Sequence, residues 1–154
     1  MACLDSMAKL DFPPGQFEII VIDDQSDDNT RDLALSFFKA NPSIEGHVIQ
    51  LPETSPGGKK EAIAQGISVS RYPLIITTDA DCLVPETWLN SVVSYYEQTG
   101  AKMIAAPVSI CHSNSFVQNI QELEMLGLQA VAGASIQLNE PVLCSGANLF
   151  FEKS

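Results

Sequence analysis

Apolar and polar positions along the 154-residue chain fall into blocks whose period alternates between that of a helix and that of a strand. Leu4, Met7, Ala8 and Leu10 recur at helical spacing and predict a helix over residues 2–10 with no N-cap before it. Asp11-Phe-Pro-Pro-Gly15 is turn chemistry, and Phe17-Glu-Ile-Ile-Val-Ile22 is a β-branched run of the kind that forms a buried parallel strand. Leu33, Ala34, Phe37 and Phe38 predict a helix that ends near Asn41-Pro42, and His47 to Leu51 reads as a strand. A Gly/Pro loop from Pro52 to Gly58 leads into a helix over Lys59 to Ser70, and Leu74 to Thr78 forms a second clear strand. Pro85, the 3.6-residue spacing of Trp88, Leu89, Val92, Val93 and Tyr96, and Gly100 as a C-terminal cap mark a further helix. Lys102 to Val108 reads as a strand, Ser113 to about Ala134 as a helix, and Val142 to Phe151 as strand, tight turn, strand.

Strands that alternate with helices of ten or more residues need crossover connections, so the fold class is α/β, with a mainly parallel sheet and helices on both faces. At 154 residues the chain is read as one domain, long enough to bury about 68–70% of its unfolded surface. Composition, 45% hydrophobic and 18% charged, excludes disordered, collagen-like and coiled-coil classes. A formal net charge of -11 argues against nucleic acid or anionic lipid as partner, since both are read by basic patches. It leaves room for an anionic ligand held through a bound cation. Cys3, Cys82, Cys111 and Cys144 form no C-x-x-C pair, which suggests neither a zinc site nor a disulfide framework, and a reducing cytoplasm is the simplest compartment. No run of 18 apolar residues and no signal-peptide pattern is present.

The chemistry is expected where strands end. In open α/β sheets ligands bind outside the carboxyl ends of the strands, and two strands here each run into a pair of aspartates, Asp23-Asp24 and Asp79-Ala-Asp81. Asp79 and Asp81, spaced i, i+2 on a short turn, can aim carboxylates at a hard cation such as Mg²⁺ or Mn²⁺; the bland alternative is that they cap loops. Asp23 to Thr30 is too poor a match for a calcium loop, because Asp28 and Ala34 stand where Gly and Glu are required. Asp27 or Asp28 is read as a cap for the following helix, and Asp23 and Asp24 as better placed to touch a ligand. Lys59 and Lys60 open a helix after Pro56-Gly57-Gly58, where their charge opposes the helix macrodipole unless an anion sits there. A phosphate site and solvated surface lysines are equally open readings. His47 and His112 have no triad or ligand spacing, and Cys82 is read as packing. The stripe Leu123, Leu126, Ala130 and Val131 is read as core, with a membrane-surface face as the weaker reading.

With these residues placed, the sequence resembles the family 2 glycosyltransferases. Val21-Ile-Asp-Asp-Gln-Ser-Asp-Asp-Asn-Thr30 is similar to that family's V-D-D-x-S-x-D-x-T, Gly58-Lys59 opens the next helix, and Thr78-Asp-Ala-Asp81 looks like its D-x-D motif. The resemblance implies a GT-A fold, Rossmann-like, and transfer of a sugar from a UDP- or GDP-sugar to a glycan, lipid or other hydroxyl acceptor, with inversion and with Mg²⁺ or Mn²⁺. It implies that Asp24 contacts the nucleotide base with Asp23 beside it, that Lys59 approaches the nucleotide or its diphosphate, and that Asp79 and Asp81 bind metal and donor sugar. Ser145-Gly146-Ala147-Asn148 resembles the small-residue turn near donor and acceptor, so Ser145, Gly146 and Asn148 are candidates too.

The family's opening strand is expected ahead of Ala2 and its general base in an acidic motif beyond Ser154, so the domain is expected to be partial and residues 1–154 alone weak or inactive. Ala62-Ile63-Ala64 stands where many members carry Ala-Leu-Asn. The expected location is cytoplasmic; many relatives continue into membrane helices, so attachment of the whole protein to a membrane's cytoplasmic face is an open expectation. Two rivals stand beside this reading. A non-catalytic nucleotide-binding or interaction module would bind without transfer. HAD-like phosphatases also place D-x-D after a buried strand, but that strand normally comes first and Thr or Val stands where Leu83 does here.

Overall fold

The computed structural model describes residues 1–55, 57–111 and 115–153. Pro56, His112, Ser113 and Ser154, on which some of the expectations above fall, lie outside them. The elements in chain order are α1 (Ala2–Met7), β1 (Ile19–Asp23), α2 (Thr30–Ala40), β2 (Gly46–Gln50), α3 (Lys59–Val69), β3 (Leu74–Thr77), α4 (Trp88–Thr99), β4 (Met103–Ala105), α5 (Phe116–Gln137) and β5 (Leu149–Glu152), with a 3₁₀ turn at Gly146–Asn148. The α/β class stands. Gly100 caps α4 in the left-handed conformation, as its position after the last apolar repeat requires.

β1 and β2 form a parallel pair in register from Ile19 opposite Gly46 to Asp23 opposite Gln50. α2 makes the crossover and buries Ala34 and Phe37. Gly46 is required for a steric reason: a Cβ there would lie 2.0 Å from Cε1 of Phe38, the ring that closes α2 onto the start of β2. α3 returns over β1, with Gly66 against Ile22. A buried cluster of Cys3, Met7 and Ile19, with Val21, Val84 and Trp88 around it, joins α1, β1 and the loop before α4.

The second sheet adds one antiparallel strand, β5, to the parallel arrangement. Its order is β3-β5-β4, and β5 runs antiparallel to both neighbours, Ile76 and Ile104 each facing Phe150. α5 lies between β4 and β5, but the chain then arrives at the carboxyl end of β3, where the 3₁₀ segment at Gly146–Asn148 sends it back down the sheet. Phe150 is completely buried and meets Trp88 edge to face at 5.8 Å, which makes β5 the centre of this half of the core.

Three expectations are revised. β4 covers three residues, not Lys102 to Val108: Pro107 has no N–H to donate, and the amide side chain of Gln129 takes both backbone groups of Val108 (2.8 and 2.7 Å). Val142 to Cys144 forms no strand; Val142 N–H donates to Ser135 Oγ and the segment is exposed. The stripe on α5 is not core. Leu123 is 71%, Leu126 55% and Val131 54% exposed, Ala130 is exposed as well, and the helix buries Ala132 and Ser135 instead, because its small-residue side is the one that faces the domain. Among the described residues no helix is long and apolar enough to cross a membrane.

The amino ends of β1 and β2 are stapled to the residues before β3. The Glu18 side chain, 4% exposed, accepts from Arg71 N–H (2.7 Å) and lies 3.5 Å from His47 Nε2, while Arg71 also pairs with Glu45. The guanidinium holds the Glu45 carboxyl below the usual range, and Glu45 raises Arg71 in return. His47 is therefore a partner in a structural cluster at the far end from the aspartates.

Candidate functional site

Each acid-tipped strand ends at the amino terminus of α3, by different means. At β1, Asp23 is 2% exposed; its Oδ1 accepts from Ser26 N–H at 3.3 Å, and its Oδ2 is buried without a hydrogen-bond partner among the described residues. A buried polar oxygen left unmatched costs stability and calls for an explanation. Asp24 is turned away from β1: its Oδ2 accepts from Gly58 N–H at 2.6 Å. Gly57 and Gly58 adopt φ of 69° and 89°, a region that glycine enters without penalty, and a Cβ on Gly57 would come within 3.0 Å of Asp24 Oδ1. The Gly-Gly turn thus wraps the carboxyl of Asp24. The helix start at Lys59, which needed an anion beside it, receives one from within the chain.

At β3, the chain leaves Thr77 through Thr78 and turns over Asp79-Ala80-Asp81, closed by Cys82 N–H on the Asp79 carbonyl at 3.1 Å. Asp79 Oδ1 accepts from Lys59 Nζ at 2.5 Å, with the two side chains 41% and 58% exposed. Water screens such a pair, so it is worth at most about 1 kcal/mol and exchanges readily. Asp81 is exposed, with Cys82 Sγ 3.9 Å from its Oδ1. From below, the buried Cys3 thiol contacts the Asp79 carbonyl at 3.7 Å, and burial first, then Cys82 and Asp81, pushes that thiol up and keeps it protonated at neutral pH.

The Ser145–Asn148 turn reaches the same place. Thr77 Oγ1 donates to the Gly146 carbonyl at 2.7 Å, and a Cβ on Gly146 would stand 3.4 Å from Lys59 Cε and 3.5 Å from its Nζ. Ser145 Oγ accepts from Ala147 N–H at 3.2 Å. Asn148 spends both ends of its amide on the scaffold, accepting from Trp88 Nε1 at 3.0 Å and donating to the Pro107 carbonyl at 2.8 Å. Asp24, Lys59, Asp79 and Gly146 are therefore joined by contacts through the start of α3, and Asp81 lies on the same turn as Asp79. Asp23 is adjacent in sequence but sits in the interior. Asp28 caps α2 from outside, accepting from Thr30 N–H at 2.8 Å, and the Thr30 side chain first, then its backbone N–H, hold the Asp28 pKa down. Lys60 is exposed and makes no ion pair among the described residues.

Could this place hold a divalent cation? The Lys59 ammonium already stands as a cation on Asp79, so that carboxylate is disposed to take positive charge. No group of three or more His, Cys, Asp or Glu side chains converges on a metal position among the described residues. Two acids alone suit Mg²⁺ or Mn²⁺, ions that complete their shells with water and phosphate oxygens. The residues present fit such an ion bound together with a phosphorylated ligand.

Residues 2–154 match the family model described as Glycosyl transferase family 2. The chain belongs to this family. Membership sets the phosphatase reading aside. Among curated family relatives, the chain is 28% identical over 112 residues to Glycosyltransferase AglE of Haloferax volcanii, covering 73% of this chain and 36% of that protein. It is 27% identical over 111 residues to the Beta-monoglucosyldiacylglycerol synthase of Trichormus variabilis, covering 71% of this chain and 23% of the relative. The chain thus spans about a third and a quarter of these relatives' lengths. The solved mannosyltransferase PcManGT of Pyrobaculum calidifontis, in complex with GDP-Man and Mn²⁺, superposes with a TM-score of 0.72 at 19% identity, over 97% of this chain and 39% of that one. At that identity the likeness shows the shared GT-A fold.

Some contributors to this candidate site have no local signal in the sequence. Thr77 meets Gly146 across 69 positions and Trp88 meets Asn148 across 60, so neither contact could be read from a motif. Cys3 reaches the D-x-D turn from 76 positions away, and only its apolar neighbours Leu4 and Met7 placed it on a core-facing helix.

Proposed function

We propose that the protein containing this domain transfers a sugar from a UDP- or GDP-sugar to an acceptor hydroxyl on a glycan or lipid, with inversion and with Mg²⁺ or Mn²⁺. The observation that carries this reading is the convergence of two acid-tipped strand ends on one glycine turn and one lysine: Asp24 on Gly58 N–H, and Lys59 on Asp79. Asp79 and Asp81 would hold the cation, whose chemistry is to neutralise charge on the departing diphosphate. Lys59 would pair with the diphosphate. Asp24, exposed at the strand end with the buried Asp23 beside it, would accept an N–H of the base, which uracil and guanine both offer on their ring and cytosine does not. Ser145, Gly146 and Asn148 would border the sugar, Asn148 by fixing the turn. The acceptor oxygen forms a bond to the anomeric carbon from the face opposite the diphosphate. The bond to the diphosphate breaks with its electron pair leaving on the nucleoside diphosphate, and the hydroxyl proton passes to a general base that none of these residues supplies. A single displacement inverts the anomeric centre.

Calorimetric titration with UDP, GDP and CDP, each with and without Mn²⁺, tests the donor site on the chain itself. The reading expects Mn²⁺-dependent binding of UDP or GDP, lost in the Asp79→Asn, Asp81→Asn double variant. Binding that is the same in EDTA, or that survives the double variant, would contradict it. A metal-dependent donor site at a cytoplasmic membrane face is part of the same proposal, and supplying a lipid or glycan acceptor to the whole protein tests that part through transfer.

A further inference from the structure

The Lys59–Asp79 pair sets up a competition that the proposed function does not by itself contain. One of the two carboxylate oxygens that Asp79 offers a divalent cation is already held, at 2.5 Å, by an ammonium that the chain supplies. The fold brings that ammonium to the carboxylate from a fixed helix start. Its helix starts at the Gly57-Gly58 turn fixed by Asp24, and its stem lies against the bare backbone of Gly146, 3.4 Å from where a Cβ would be. Lys60, the next residue, carries the same charge into solvent without a partner among the described residues.

We propose that Lys59 is a place-holder for the metal: it blocks Asp79 against a divalent cation alone and releases it when a nucleoside diphosphate gives the ammonium a phosphate partner. The inference rests on the donor-site reading above. An ammonium and a divalent cation cannot share one carboxylate oxygen at contact distance. The protein therefore binds free Mn²⁺ weakly, and the diphosphate opens the site by drawing Lys59 off while adding its own oxygens to the metal shell. Metal and nucleotide then bind as a coupled pair, and by linkage each tightens the other by the same factor. The physical benefit is that the acidic turn stays neutralised between turnovers and does not collect stray cations.

Mn²⁺ binding read by electron paramagnetic resonance, in the absence and presence of GDP and, separately, UDP, tests this on the wild-type chain, Lys59→Met and Lys60→Met. In the wild type the nucleotide tightens Mn²⁺ by a factor within the range of roughly 5 to 150 seen for coupled sites. Lys59→Met is expected to tighten Mn²⁺ alone, weaken the nucleotide, and lower the coupling factor to the part that the diphosphate's own oxygens supply, while Lys60→Met keeps the wild-type factor. Two results overturn the place-holder and leave the donor site intact: Lys59→Met binding Mn²⁺ alone no tighter than wild type, or Lys60→Met tightening it equally, which would mean that any nearby positive charge acts alike. A wild-type chain that binds no Mn²⁺ even with either nucleotide overturns the donor-site reading and this inference together. Lys59 is more than half exposed, so its loss leaves the core untouched.

Discussion

The two acid-tipped strand ends look alike in sequence and differ in what holds them. At the end of β1 one acid is buried and the other is locked to a backbone N–H by a turn that glycine alone forms cheaply. At the end of β3 both acids lie at the surface, and what neutralises Asp79 is the tip of a flexible lysine. The first end is rigid and cannot exchange its partners without breaking the α3 start. The second is exchangeable by construction, since a screened ion pair is worth little. A fixed oxygen suits recognition of a base edge, and an exchangeable one suits a cation that comes and goes with each donor.

The comparison can be broken most severely by removing what both ends hang from. Phe150→Ala deletes the fully buried ring between Trp88 and the β3-β5-β4 sheet and should cost about 3–5 kcal/mol, read by chemical denaturation. A loss near that of a surface residue would mean that β5 does not anchor the 145–148 turn. Next in size is the ligand-linked effect at β3. A nucleotide with Mn²⁺ at 100 times its dissociation constant adds about 2.7 kcal/mol to wild-type stability if it binds only the folded state. Asp81→Asn should forfeit that gain while changing ligand-free stability by less than about 0.5 kcal/mol.

Asp24→Ala should cost about 1 kcal/mol without ligand, through loss of the bond at the α3 amino terminus, and should loosen Lys59 as well. Asp23→Asn sharpens the contrast by reversing the sign. It keeps an oxygen for Ser26 N–H and removes a buried negative charge held by one hydrogen bond, which outweighs the unmatched NH2 it introduces, so ligand-free stability should rise by about 0.5–1 kcal/mol while nucleotide affinity falls. A destabilised Asp23→Asn with unchanged nucleotide binding would move that residue from the site to the scaffold.

The smallest expected effect lies at the far end of the sheet. There Lys102, at 2.6 Å, and then Tyr96 hold the Glu152 carboxyl below its ordinary value. A depressed acid binds its proton more weakly folded than unfolded, so its contribution is present above the unfolded pKa and is lost as pH falls through the folded one. Wild type should therefore melt slightly higher than Glu152→Gln at pH 7, and the difference should vanish as pH falls below about 4.5, so that the wild-type melting temperature drops more steeply there. A difference that persists unchanged from pH 7 to pH 3 would assign the effect to packing.

The class, the helix and strand order and the positions of the acid pairs were legible because each rests on a local pattern: a β-branched run, a 3.6-residue repeat, an aspartate where an apolar run stops. The direction of β5 was not, since Leu149 to Glu152 is an apolar run that reads the same whichever way it pairs. The exposure of Leu123, Leu126 and Val131 was not legible either, because a helix apolar on several sides does not say which side the domain takes. At the site, the residue types were visible but not their partners. Asp24 and Gly58 are 34 positions apart, Lys59 and Asp79 are 20, and only the folded chain shows that the lysine stands on the carboxylate.

The most direct test of the central claim is a crystal structure of the chain with Mn²⁺ and GDP or UDP, read through the anomalous signal of manganese. The account predicts a manganese peak bound by Asp79 or Asp81 and the diphosphate, with Lys59 Nζ moved from Asp79 to a phosphate oxygen and Asp24 still on Gly58. A nucleotide seated elsewhere, or one seated here with Lys59 still on Asp79 and no manganese beside it, would contradict the account.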